Sequence, residues 1–179
     1  MKYTLYCDGG CRGNGKENAY GAWACIVLDS NGNECLSLAL ADKQCYTNIR
    51  AEMFAVTEGL KAIAMMTEIE KLPDTIIEIQ TDSRFICNAM NKKWIDYWMT
   101  HNWVKKSREP VANKELWELL LALESMFKEV TYNYCPGHSG IEYNERCDKL
   151  VNRAMDEEKA VERAQQKEMK RFLKKEGLL

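Results

Sequence analysis

The chain has 179 residues, 46% apolar and 29% charged, a globular mixture long enough to bury one core, which excludes a disordered polar chain. Its net charge of −2 does not advertise a nucleic-acid binder, so the placement of charge matters more than its sum. No apolar run reaches membrane-spanning length, and the amino terminus lacks a basic stretch followed by an apolar core, which predicts a cytoplasmic chain with no membrane partner.

Residues 2–7 alternate, with Tyr3, Leu5 and Cys7 on one side, and read as a strand that ends at Asp8 and the turn signal Gly9-Gly10. Two further strands, 20–28 and 34–41, flank Asp29-Ser30-Asn31-Gly32, a hairpin turn sequence. A helix is expected from about Ile49 to Met66, with Ile49, Met53, Val56, Leu60 and Ile63 at helical spacing. Pro73-Asp74 breaks the chain before a strand at 75–81, and Ser83 stands where it can cap the next helix. A Trp-rich stretch at 94–103 precedes a helix at 115–127, a fifth strand at 129–135, the loop Pro136-Gly137-His138-Ser139-Gly140 and a last helix starting near Tyr143. The order βββαβααβα with long helical crossovers predicts a mixed α/β sheet.

Eight cysteines read as reduced core residues. Cys25, Cys87 and Cys147 fall within apolar patterns, while Cys7 and Cys11 stand in a turn-rich stretch without the second cluster that zinc needs. Residues 92–108 hold Lys92, Lys93, Lys105, Lys106 and Arg108 against one acid, Asp96, which predicts a local phosphate-binding surface on an otherwise acidic chain.

Four carboxylates stand out. Asp8 and Asp82 each close a predicted strand, where sites of open α/β sheets collect, although either also suits a turn or a helix cap. Glu52 and Asp148 lie at the edges of inward helix faces, one turn before Val56 and Val151. A partly buried carboxylate is usually paired or bound to metal; for Glu52 a salt bridge to an unidentified base is the alternative. Converging carboxylates repel unless a cation neutralises them, and oxygen-only ligands suit Mg²⁺ or Mn²⁺. His138, in a glycine-flanked loop beside such a crevice, suits proton transfer.

Tyr6-Cys7-Asp8-Gly9-Gly10-Cys11-Arg12-Gly13-Asn14, Thr47-Asn48-Ile49-Arg50-Ala51-Glu52, Thr81-Asp82-Ser83, and Gly137-His138-Ser139-Gly140 with Asn144-Glu145-Arg146-Cys147-Asp148 follow in order. Together they resemble the motifs of the type 1 ribonuclease H family. The resemblance spans residues 1–155 and implies a five-stranded mixed sheet flanked by helices, three antiparallel strands first. Residues 156–179 are then a charged, helical extension. It implies an endonuclease that cuts the RNA strand of an RNA–DNA hybrid, leaving 5′-phosphate and 3′-hydroxyl ends, with no obligate protein partner. Asp8, Glu52, Asp82 and Asp148 match the family's metal-binding positions, for two Mg²⁺ (or Mn²⁺) held about 3.5–4 Å apart, and His138 matches its mobile histidine.

The Trp-rich stretch is similar to the family's basic protrusion, with Lys92, Lys93, Trp94, Trp98, Trp103, Lys105 and Lys106 as hybrid-binding residues; its alternative is a helix whose tryptophans pack together. Asn14, Thr47 and Asn48 match positions that contact substrate backbone or ribose, and Asn113 one that helps bind a DNA phosphate. The chain departs from the pattern at Ile49, where a polar residue is usual, and at Cys45, where many members carry an arginine that Lys43 would have to replace. Two rival readings are a reverse-transcriptase-derived domain, which the protrusion disfavours, and a catalytically dead hybrid-binding module, which the complete set of acids disfavours.

Overall fold

The computed structural model describes residues 1–176. Alternation in the first strands sends side chains to two faces of a sheet, and helices cover both. Strands β1 (Lys2–Arg12), β2 (Tyr20–Leu28) and β3 (Glu34–Asp42) form an antiparallel meander. Helix α1 (Asn48–Met66) and a short 3-10 turn (Ile69–Asp74) lead to β4 (Ile76–Thr81), which pairs parallel with β1. Three helices follow, α2 (Arg84–Asn91), α3 (Trp94–Thr100) and α4 (Lys114–Glu124). Then come β5 (Glu129–Tyr134), parallel to β4, and α5 (Glu142–Lys175). The sheet order is β3-β2-β1-β4-β5, the mixed five-stranded sheet expected from the sequence.

Tyr3, Leu5 and Cys7 of β1, Trp23, Cys25 and Val27 of β2, and Ile77 and Ile79 of β4 point to one face, where Met53, Val56, Leu60 and Ile63 of α1 cover them. Ala22, Ala24, Ile26 and Leu28 point to the other, under Cys147, Val151 and Met155 of α5. Burying one such large apolar side chain contributes about 1.5–3 kcal/mol, so these two layers fix the helices that carry Glu52 and Asp148. Thr47 caps α1, its hydroxyl accepting from the Arg50 N–H at 3.2 Å. All eight cysteines are free, and Cys25, Cys87 and Cys147 are buried as expected of core residues, but Cys11 is half-buried and Cys35 is exposed, so not all eight belong to the core. No helix among the described residues is long and apolar enough to cross a membrane.

Two expectations change. Asp8-Gly9-Gly10 is not a turn: β1 continues to Arg12, with Gly9 opposite Trp23 and Gly10 opposite Ala22, so Cys7 and Cys11 are strand residues as well. The turn lies further on, closed by the Lys16 N–H to the Gly13 carbonyl (2.8 Å) and the Ala19 N–H to the Lys16 carbonyl (2.9 Å). The segment after β4 holds three helices instead of two, because Lys93 takes a left-handed φ of 56° between α2 and α3. The helical extension expected after residue 155 is present, as α5 runs unbroken through residue 156 to Lys175.

Candidate active site

Parallel pairing of β1 with β4 ends at Cys7 opposite Thr81, while antiparallel pairing of β1 with β2 continues through Asp8 opposite Ala24. Asp8 and Asp82 therefore emerge side by side where the two central strands part, the position a strand-end crevice requires. Asp8 is only 9% exposed, and its carboxylate accepts from the Gly9 N–H at 2.8 Å. Burial first, then the Asp82 charge, with smaller contributions from Asp148 and Glu52, outweigh that bond and push the Asp8 carboxyl up to about 7.

Glu52, in the first turns of α1, is also pushed up to about 7. Burial is the main cause and Asp82 adds to it, while the Ser83 hydroxyl, donating to Glu52 Oε2 at 2.5 Å, opposes both. Ser83 also accepts from the Ile86 N–H at 3.4 Å as the cap of α2. One side chain thus starts α2 and ties it to Glu52. The sequence reveals only the cap, because no local spacing points to a partner 31 residues away. Asp82 is raised by burial and by Asp148, and lowered by His138. All four acids are thus electrostatically coupled, and the histidine with them.

Gly137 makes the approach of the histidine loop possible: a Cβ there would lie 2.9 Å from Asp82 Oδ2. His138 is exposed with φ 52°, and Gly140 follows at φ 82°. The loop is pinned at its base by the Ser139 hydroxyl donating to the Pro136 carbonyl (2.5 Å) and the Gly140 N–H donating to Glu145 (2.9 Å).

Among the described residues no three His, Cys, Asp or Glu side chains enclose an ion as they stand; like charges resist closer approach without a cation between them. The donor chemistry nonetheless fits one. The carboxylates are oxygen donors, and two are held near neutrality by burial and mutual repulsion, a cost that a hard divalent cation relieves.

Asn14 and Asn48 are linked at the start of α1, next to the capping Thr47 and one turn before Glu52. The Asn48 N–H donates to Asn14 Oδ1 at 3.0 Å, and Asn48 Oδ1 accepts from the Cys11 N–H at 2.9 Å. Asn113 lies apart, at the start of α4, accepting from Arg50 at 3.0 Å. Arg50, visible in the sequence only as one letter of the Thr47–Glu52 motif, holds the start of α4. Its buried guanidinium also donates to the Gln44 carbonyl (2.9 Å) and to Glu115 (2.5 Å). Ile49 stands exposed. Cys45 is fully buried and cannot serve a phosphate, and the exposed Lys43 leans 4.0 Å from Glu162 of α5.

Lys92, Lys93, Lys105 and Lys106 rim one groove, floored by Phe85, Trp94 and Tyr97. Trp98 also lines this groove. It is 6% exposed and packs on Trp117, Trp94 and Phe85 with ring centroids 5.6, 6.3 and 6.4 Å away, so it builds the platform from beneath. Trp94 and Trp103 are half-buried against the same core, and Trp103 lies under the Lys114 ammonium at 5.9 Å. The tryptophans therefore largely pack together, as the alternative reading held, while the lysines face outward. Replacing Lys92, Lys93, Lys105 and Lys106 with Gln is expected to weaken hybrid binding and to flatten the slope of log affinity against log salt by about 0.9 for each phosphate that is no longer neutralised. An unchanged slope in fluorescence titrations would remove the groove from the binding surface.

A mixed five-stranded sheet with Asp8 and Asp82 at its central strand ends, and with Glu52 of α1 and Asp148 of α5 bearing on them, fits the class of acid-cluster nucleic-acid hydrolases. Comparison narrows it. The RNase H family model matches residues 1–156. The ribonuclease H of Clostridium botulinum (strain Hall) is 41% identical over 158 residues, 87% of this chain and 97% of that protein. That of Geotalea uraniireducens is 36% identical, over 87% and 95% of the two chains. Among solved structures, LC11-RNase H1 in complex with an RNA/DNA hybrid superposes with a TM-score of 0.65 at 26% identity, over 87% and 97% of the two chains. The chain belongs to the ribonuclease H family, divalent-metal-dependent endonucleases that hydrolyse the RNA strand of RNA–DNA hybrids.

Proposed function

We propose that Asp8, Glu52, Asp82 and Asp148 are the ion-holding acids of this hydrolysis, with His138 serving proton movement and Mg²⁺ as the working metal, replaceable by Mn²⁺. The observation that carries the reading is the placement of buried Asp8 in β1 beside Asp82 at the end of β4, with half-buried Glu52 of α1 tied to Ser83 next to Asp82 at 2.5 Å and the His138 loop against Asp82 at Gly137. Among the described residues none of the four joins an ion pair with Lys or Arg, and their charges bear on one another instead. When bound, two such ions would activate the attacking water and stabilise the leaving 3′-oxygen, giving 5′-phosphate and 3′-hydroxyl ends. Ser83 holds Glu52 by its hydroxyl, Gly137 leaves room for the Asp82 carboxylate, and the exposed His138 imidazole takes up or returns a proton beside it.

Substrate choice rests on the polar residues at the start of α1 and on the basic groove. Asn14, Thr47 and Asn48 offer hydrogen-bonding groups for backbone and 2′-hydroxyls, which only RNA presents, while Asn113 and the four lysines take DNA phosphates without reading sequence. Eight unpaired cysteines suit a reducing compartment, and we place the enzyme in the cytoplasm, with residues 1–155 as its catalytic domain. The test is metal-titrated cleavage of end-labelled RNA–DNA hybrid, duplex RNA and duplex DNA. Hydrolysis of the hybrid alone, dependent on added Mg²⁺ or Mn²⁺, is the expected result. Equal cleavage of duplex RNA, or activity in excess chelator, would overturn it.

A further inference from the structure

Residues beyond 156 lie outside the matched family region, yet α5 carries them on as an ordered helix. Arg163, Lys167, Lys170, Arg171 and Lys174 recur at spacings of four, three, one and three, which sets all five on one side of a 3.6-residue helix. Glu162 and Glu168 project from other sides. All five cations are exposed, and none joins an ion pair among the described residues. At a rise of 1.5 Å per residue the stripe extends about 16 Å.

Contacts at the root of the extension fix where it leaves the domain. Arg12 Nη1 meets Asp156 Oδ1 at 2.5 Å, the Lys159 ammonium lies 5.7 Å from the Tyr20 ring centroid, and Lys43 reaches Glu162. A cleft between turn 13–19 and the helix is lined by Lys16, Asn18, Tyr46, Glu158, Glu162 and Gln166. That turn carries Asn14, so the cationic stripe departs from the rim that the proposed substrate occupies.

We propose that this stripe is a second, sequence-independent anchor for the phosphate backbone of the nucleic-acid duplex, engaging it outside the segment being cut; the inference rests on the hybrid-cleaving function proposed above. Charge complementarity selects the occupant. Five unpaired cations in a row meet a duplex that carries one negative charge per roughly 1.7 Å of axis. The opposite side is a poorer candidate for a lipid surface or a second chain. Its exposed Val161, Met169 and Phe172 form a narrow line flanked by Glu162 and Glu168, and those carboxylates oppose an anionic membrane.

The experiment compares the full chain with a variant carrying Arg163→Gln, Lys167→Gln, Lys170→Gln, Arg171→Gln and Lys174→Gln. Gln retains helix propensity close to that of Lys and Arg, which circular dichroism verifies. Binding is followed by fluorescence anisotropy in chelator, across a salt series, on labelled RNA–DNA hybrids of about 30 and about 10 base pairs, the longer one supplying phosphates beyond the catalytic face. The variant is expected to lose roughly tenfold or more in affinity for the long hybrid, with a salt slope flatter by about 2–4, and to bind the short hybrid like the unmodified chain. Equal affinity and slope on the long hybrid would overturn the anchor. So would equal loss on both lengths, which puts the stripe within the cut segment, or an unchanged titration accompanied by loss of self-association, which makes the stripe a chain–chain interface. Cleavage of the short hybrid in Mg²⁺ is read in parallel. Failure of the unmodified chain to cut it refutes the enzymatic reading and leaves the binding comparison legible.

Discussion

Asp8→Asn is expected to abolish hybrid cleavage and, in chelator, to make the protein more stable. The activity half follows from charge: the amide keeps the shape of Asp8 and its bond from the Gly9 N–H but loses the negative oxygen that a hard cation needs. A fall in single-turnover rate of about a thousandfold or more is expected, on the scale of removing a central electrostatic stabiliser. The stability half follows from linkage. In the unfolded chain this carboxyl titrates near 4, whereas in the fold burial and the Asp82 charge push it up to about 7. Between those values the folded state binds more protons, so stability falls as pH rises through the window. Glu52, also pushed up to about 7, acts in the same direction. The neutral variant escapes its share of that loss, so its advantage is fully present above pH 7 and vanishes below about pH 4. Relief of each tenfold step in that equilibrium is worth about 1.4 kcal/mol. Thermal melts across pH, with chelator and again with Mg²⁺, check both halves, since the cation should favour the unmodified chain. A variant less stable than the parent in chelator at pH 8, or one that still cuts at parental rate, would remove Asp8 from the coupled site.

The order of the four acids along the chain and the elements that hold them are legible in the sequence because each announces itself locally. Glu52 and Asp148 stand on inward helix edges, and Asp82 closes a short apolar strand before a capping Ser. Gly9-Gly10 misleads for a physical reason. Two glycines commonly mark a turn, but here they mark close packing. Gly9 abuts the backbone of α1 and Gly10 faces Val151 Cγ1 of α5 at 3.1 Å, approaches between residues more than 40 positions apart that no local pattern encodes. The break between α2 and α3 is hidden for a related reason, since Lys93 adopts a left-handed conformation usually left to Gly or Asn. Arg50 is visible only as a motif letter. Its role depends on Gln44, Asn113 and Glu115 meeting it in space. Trp98 is ambiguous because a platform and a binding surface use the same aromatic residue types.

Gly9→Ala is expected to be the most damaging single-methyl change in the site region. A Cβ at Gly9 would overlap the carbonyl carbon and oxygen of Ala51 and the amide nitrogen of Glu52. These are backbone atoms inside the first turns of α1, a helix anchored by fully buried Met53, Val56, Leu60 and Ile63, so no side chain can swing aside. Either β1 or α1 must move, and overpacking of this kind costs about 3 kcal/mol or more, the upper end of its usual range. In a chain of this size that lowers the melting temperature by about 6–12 °C. The same displacement shifts Glu52 relative to Asp8, so turnover should fall even at temperatures where the variant remains folded, with half-activation moved to higher Mg²⁺ concentration as the sign of a spread site. Gly10→Ala is the internal control. Its Cβ meets a side chain, Val151 Cγ1 at 3.1 Å, which rotates or slides by a few tenths of an ångström. It should therefore lose markedly less stability while adding the same methyl to the neighbouring strand position. Paired urea denaturation and cleavage assays distinguish the two variants. Equal losses for Gly9→Ala and Gly10→Ala would mean that the strand tolerates α1 moving as readily as a valine side chain, and that the spacing between Asp8 and Glu52 is not set by the packing of β1 on the first turn of α1.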